Sequence, residues 1–131
     1  MDMSTVLVVE DQSETRRPLA KLLRLEGYEV LTACDAYAAA AAIRNDAPDL
    51  VLLDVGIPPM DGLTMLSLLR DEPQFRDIPV VVVTGRTDEN TVTRANQLGV
   101  RRCLIKSQFT ADELLDTIRE NIRTSPPPPA A

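Results

Sequence analysis

Five polar residues of chemically useful type stand where apolar runs of the chain end. Glu10 and Asp11 follow Val6-Leu-Val-Val9, Asp54 follows Leu50-Val-Leu-Leu53, Thr84 follows Val80-Val-Val-Val83, and Lys106 follows the run from Val100 to Ile105. Three carboxylates brought to one point repel each other unless a cation joins them. Hard oxygen ligands, with room left for water and a phosphate, describe a Mg2+ site. A carboxylate also serves as a nucleophile toward phosphorus, giving an aspartyl phosphate. Phosphoryl transfer asks mainly for positioning and charge neutralisation, which Mg2+ and a lysine supply, while a threonine hydroxyl donates to a phosphoryl oxygen. Taken singly, each residue has a plainer reading. A carboxylate at a strand end is commonly a helix cap, Thr84 a turn residue and Lys106 a solvated charge. The chemical reading rests on four strand ends each supplying the required type.

The elements that must position them alternate along the chain. Strands are expected at Thr5 to Val9, Glu29 to Ala33, Leu50 to Leu53, Pro79 to Thr84 and Val100 to Ile105. Runs that are apolar without alternation belong in a parallel sheet covered on both faces. Between them lie helical stretches: residues 14–26, stopped by Gly27; Ala36 to Asn45, capped by Asp35 and followed by Pro48; a third marked by Leu63, Leu66 and Leu69; a weaker fourth marked by Val92, Ala95 and Leu98. The fifth is the clearest, with a Thr110-Ala-Asp-Glu113 capping box before Leu114, Leu115, Ile118 and Ile122. Pro18 predicts a distorted first turn in the first helix. Five strand–helix alternations predict a three-layer α/β domain with right-handed crossovers, and in such sheets ligands bind at the carboxyl ends of the strands. Residues 1–123 are expected to form this domain. The proline-rich run 124–131 reads as an extended linker or disordered tail.

Composition narrows the function classes. The chain has 131 residues, 44% of them hydrophobic and only 3% aromatic, so one domain is expected, its interior built from Val, Leu, Ile and Ala. A net charge of −6 argues against direct nucleic-acid or anionic-membrane binding. No apolar run approaches the ~18 residues of a membrane span, and no signal peptide opens the chain, so a cytoplasmic protein is the default expectation. The chain contains no histidine, which excludes Ser-His-Asp chemistry and His-ligated zinc. Any phosphohistidine must come from a partner.

The chain resembles the receiver domains of bacterial two-component response regulators over about residues 5–123. The resemblance rests on Val8-Val-Glu-Asp11, Asp54-Val-Gly-Ile-Pro-Pro-Met-Asp-Gly62, Val83-Thr-Gly85 and Leu104-Ile-Lys106. It implies a doubly wound, flavodoxin/CheY-like five-stranded parallel sheet in the order 2-1-3-4-5. It further implies that Asp54 accepts a phosphoryl group from a histidine kinase or histidine phosphotransfer protein. Asp11, Asp54 and the Gly56 carbonyl would bind Mg2+ directly and Glu10 through water, Lys106 would pair with the acceptor, and Thr84 would bind phosphoryl oxygens. A downstream protein partner is implied and unspecified. Two positions depart from the family pattern. Cys103 stands where Tyr or Phe is usual, and Ser107 where Pro is usual, so an atypical output switch is expected. In the implied strand order Cys34 and Cys103 belong to opposite edges, roughly 19 Å apart at ~4.8 Å per strand, beyond the ~7 Å limit for a disulfide.

The rival reading is a docking module of the same fold that works without phosphorylation; the acid cluster counts against it. A haloacid-dehalogenase-type phosphatase needs a second aspartate two residues after the nucleophile, where Gly56 stands. Nucleotide binding lacks its Gly-rich loop after the first strand.

Overall fold

Val6, Leu7, Val8 and Val9 are all buried, yet they serve two different cores, and that division organises the molecule. Successive side chains on a strand point to opposite faces. Leu7 and Val9 join Val51, Leu53, Val80 and Val82 on one face of the sheet, while Val6 and Val8 join Leu50, Leu52, Val81 and Val83 on the other. The computed structural model describes residues 4–56, 61–85 and 89–122. Within them the order is β1 (Thr5–Val9), α1 (Ser13–Leu25), β2 (Glu29–Ala33), α2 (Ala36–Asp46), β3 (Leu50–Asp54), α3 (Gly62–Arg70), a 3₁₀ turn (Pro73–Phe75), β4 (Val80–Thr84), α4 (Glu89–Gln97), β5 (Arg102–Ile105) and α5 (Ala111–Asn121). All strand pairs are parallel, in the order β2-β1-β3-β4-β5. Helices α2, α3 and α4 cover the Leu7 face; α1 and α5 cover the Val6 face. The expected three-layer sandwich and strand order are what the structure has.

Local chemistry accounts for most boundaries. Helix α1 ends in a Schellman turn, with Gly27 at φ +95° and bonds from Gly27 N–H to Arg24 and from Tyr28 N–H to Leu23 carbonyls. Asp35 caps α2 by accepting the Ala38 N–H at 2.8 Å, Asp61 caps α3 through the Leu63 N–H at 2.7 Å, and Thr110 caps α5 through the Glu113 N–H at 3.1 Å. Helix α1 runs unbroken through Pro18. Its first turn is tightened, with both Thr15 and Arg16 N–H groups reaching the Gln12 carbonyl.

Three strand boundaries differ from expectation: β3 runs one residue further, to Asp54, β4 begins at Val80 and not Pro79, and the largest change is in β5. β5 begins at Arg102, not Val100. Val100 instead closes a second Schellman turn after α4, donating its N–H to the Ala95 carbonyl across Gly99 at φ +73°. Its apolar side chain packs against the Leu7-face core from that turn. The 3₁₀ turn at Pro73–Phe75 was not signalled by periodicity. The Ile57–Met60 part of the Asp54–Gly62 motif and the run 124–131 lie outside the described residues.

Candidate functional site

In a parallel sheet every strand carboxyl end lies on the same edge, and the register fixes how the residues there line up. Val9 pairs with Leu53, so Glu10 is level with Asp54. Asp54 pairs with Val83, and Thr84 with Ile105. Thr84 therefore stands one residue above Asp54, and Lys106 two residues above it, or about 6.6 Å of strand rise. A lysine stem is long enough to reach back across that stagger. It does so: Lys106 Nζ lies 2.9 Å from Asp54 Oδ2 and 3.1 Å from Glu10 Oε1. The other Asp54 oxygen, Oδ1, accepts the Gly56 N–H at 3.1 Å, and Glu10 Oε2 accepts the Gln12 N–H at 3.2 Å.

Glu10 and Asp54 are nearly sealed, at 2% and 8% exposure, whereas Asp11 is open to solvent. Oxygens of all three carboxylates lie within 4.8 Å of one another. Six-coordinate Mg2+ with oxygen ligands at about 2.1 Å holds them about 3 to 4.2 Å apart. The trio thus fits a small hard cation after modest contraction. Asp11, Gln12, Asp54, Gly56, Thr84, Gly85 and Lys106 line a cavity of ≈ 300 Å³ that opens outward, space for a phosphoryl group and waters.

The electrostatics follow from burial and crowding. Desolvation raises the Glu10 carboxyl above its ordinary range, helped by Asp11 and Asp54 and opposed by hydrogen bonds from Gln12 and Lys106. Desolvation pulls the Lys106 ammonium down, but hydrogen bonds and attraction from Asp54 and Glu10 together outweigh it, and the net shift is upward. The lysine is a firmly protonated cation beside two acids.

Of the residues singled out in the sequence, Glu10, Asp11, Asp54, Gly56, Thr84 and Lys106 meet at this edge. Cys103 does not line the cavity. It is half-buried against the Leu7-face core, and burial pushes its thiol up. Ser107, next to Lys106, holds a left-handed φ of +71°, where an L-residue is strained. Two participants were not foreseen. Arg16 Nη1 donates to the Glu10 and Asp11 carbonyls, and Gly62 packs against the Asp54 backbone. An arginine one turn into the helix after an acid pair was the available signal for the first.

Comparison with known proteins places the chain. The model of the response regulator receiver domain family matches residues 6–119. The transcriptional regulatory protein KdpE of Staphylococcus aureus is 38% identical over 116 residues, covering 88% of this chain and 48% of that protein. Response regulator PleD of Caulobacter vibrioides is 46% identical over 86 residues, 63% of this chain and 19% of its own length. The solved structure of the Vibrio cholerae chemotaxis protein CheY4 superposes with a TM-score of 0.85 at 28% identity, covering 92% of this chain and 100% of that one. The chain belongs to the response regulator receiver domain family, and is a signalling domain of the two-component type. It spans about half the length of the KdpE relatives it matches. Among the described residues, no helix is long and apolar enough to cross a membrane.

Proposed function

We propose that the chain is a phosphorylatable receiver that takes a phosphoryl group onto Asp54 from a phosphohistidine of a partner kinase or phosphotransfer protein. The observation that carries this reading is the pinned carboxylate of Asp54, held by Gly56 N–H and Lys106 Nζ beside Glu10 and Asp11 in an open cavity. An Asp54 oxygen attacks phosphorus, the phosphorus–nitrogen bond to the donor imidazole breaks, and the imidazole keeps the electron pair and gains a proton. The product is an acyl phosphate. Asp11, Asp54 and the Gly56 carbonyl would hold Mg2+, with Glu10 behind it; when bound, the ion neutralises charge on the phosphoryl oxygens. Lys106 moves its positive charge from the carboxylate toward the incoming oxygens, and the Thr84 hydroxyl donates to one of them. The domain comprises residues 1–123 of a cytoplasmic protein, with the proline-rich run 124–131 as a tail or linker.

That output uses no aromatic switch. Cys103 has no ring to turn into space vacated near Thr84. The movable element is α4, whose buried side chains are Thr91 and Ala95 alone among its described residues. Changes in amide shift on adding beryllofluoride, a phosphoryl mimic, are expected at residues 84–98, with Cys103 and Phe109 quiet. A coherent shift across Arg101 to Phe109, as large as that at the site, overturns this part.

Incubation with acetyl phosphate and MgCl2 is the direct test. Intact mass should rise by one phosphoryl group, and Asp54→Asn should abolish the gain. Labelling that persists in Asp54→Asn refutes the acceptor assignment. No labelling of the folded wild type by any of a panel of kinases favours the phosphorylation-independent docking module.

A further inference from the structure

Glu10 and Asp11 are consecutive, and on an extended chain consecutive side chains point to opposite sides. Their carboxylates nevertheless converge, with that of Asp54, to within 4.8 Å. The backbone must turn out of the strand at this pair. β1 ends at Val9, and Glu10 still donates its N–H to the Ala33 carbonyl at 3.0 Å. On the turn itself, the Glu10 and Asp11 carbonyls both accept from one nitrogen, Arg16 Nη1, at 2.9 and 3.2 Å. Arg16 sits in the first turns of α1, whose start is bonded to the Gln12 carbonyl. The guanidinium therefore ties the bend to a rigid helix.

We infer that Arg16 is a positioning residue for the divalent-cation site: its clamp on two successive carbonyls holds the bend that brings the Glu10 and Asp11 carboxylates to the same side. The inference rests on the proposed reading of the acid cluster as a Mg2+ site. It competes with a purely electrostatic role, and the two differ in sign. A guanidinium beside three carboxylates relieves their repulsion and opposes a metal ion, so loss of a mere charge tightens Mg2+ binding. Loss of a clamp weakens it. The clamp dominates because direct hydrogen bonds fix the ligand geometry, whereas the charge acts from behind the backbone through partly solvated space.

Titration of the whole chain with MgCl2, followed by calorimetry and by the Gly56 and Lys106 amide shifts, separates them. Arg16→Ala is expected to weaken Mg2+ binding on the order of tenfold. Arg16→Lys keeps the charge on a shorter stem and is expected to weaken it as well, so it carries the test if the alanine variant fails to fold. With acetyl phosphate, labelling by both variants should recover at saturating Mg2+, a shift in metal dependence without loss of maximal rate. Tighter binding in Arg16→Ala with wild-type binding in Arg16→Lys overturns the inference, as does a rate loss that excess Mg2+ does not restore. A folded wild type that binds no Mg2+ overturns the reading of the site and the inference with it. Wild-type binding that both variants match overturns the inference alone.

Discussion

A Cβ at Gly62 would lie 2.9 Å from the Asp54 carbonyl oxygen and 3.0 Å from Leu53 Cδ1. The first of these is backbone and cannot swing aside. The favourable helix propensity gained by Gly62→Ala is smaller than this overpacking, and the substitution is expected to destabilise the fold by about 1–3 kcal/mol in urea unfolding. Labelling with acetyl phosphate should slow as well, since the displaced strand end carries Asp54. The cysteines give a second test at this scale. Cys34 is exposed, whereas Cys103 is half-buried and its thiol is pushed above the ordinary range by burial. A raised pKa leaves less thiolate at a given pH. At pH 8 iodoacetamide should therefore modify Cys34 first and Cys103 much more slowly, with the Cys103 rate rising to higher pH; equal rates at pH 8 would contradict the packing. The acids, Thr84 and Lys106 were legible in the sequence because each stands at the end of an apolar run, where period and position together locate it. Arg16 was not, because the destination of a long side chain depends on how its helix is turned against the strand loop.

Helix α4 is held differently from the others. It offers the core little, and polar contacts tie its C-terminal part to both ends of α3. Arg94 reaches Asp61 Oδ2 at 3.4 Å and Thr64 Oγ1 at 3.2 Å, and Arg70 Nε on α3 takes the Leu98 carbonyl at 3.0 Å. Arg70 also donates to the carbonyls of Phe75, Arg76 and Ile78, fastening the 3₁₀ turn to the same point. The Arg94–Asp61 pair is partly exposed, so its contribution to global stability is under about 1 kcal/mol. Arg94→Ala should leave the unfolding midpoint nearly unchanged while hydrogen exchange at residues 91–97 accelerates, because these contacts are among those that local opening must part. Unchanged exchange would show that Thr91 and Ala95 suffice to hold the helix. These ties also explain what periodicity told and withheld. The sparse apolar pattern of α4 correctly marked a weak element. Val100 misled, because an apolar residue closing a Schellman turn has the same composition signal as the first residue of a strand.

Across the whole molecule, no single segment contains the site. Lys106 is 52 residues from Asp54 and 96 from Glu10, and the sheet order places β1 and β3 side by side but separates β3 from β5 by β4. Lysine and acids meet only when all of β1, β3, β4 and β5 are in register. The rate of labelling at increasing urea should accordingly fall with the same midpoint as the far-ultraviolet circular dichroism. A loss of labelling well before the sheet melts would mean that the edge comes apart on its own. That parallel arrangement was readable from the unbroken apolar runs, since strands buried on both faces require helices on both sides. The long separation between Glu10 and Lys106 bears on the order in which a ribosome delivers the chain. Glu10, Asp11 and Asp54 are all made before the residue that offsets their charge, and for the intervening stretch of synthesis the growing chain holds an acid cluster without its lysine. The edge of a nascent chain stays without its lysine until β5 has left the exit tunnel and docked beside β4, so the offsetting charge arrives late and in one step.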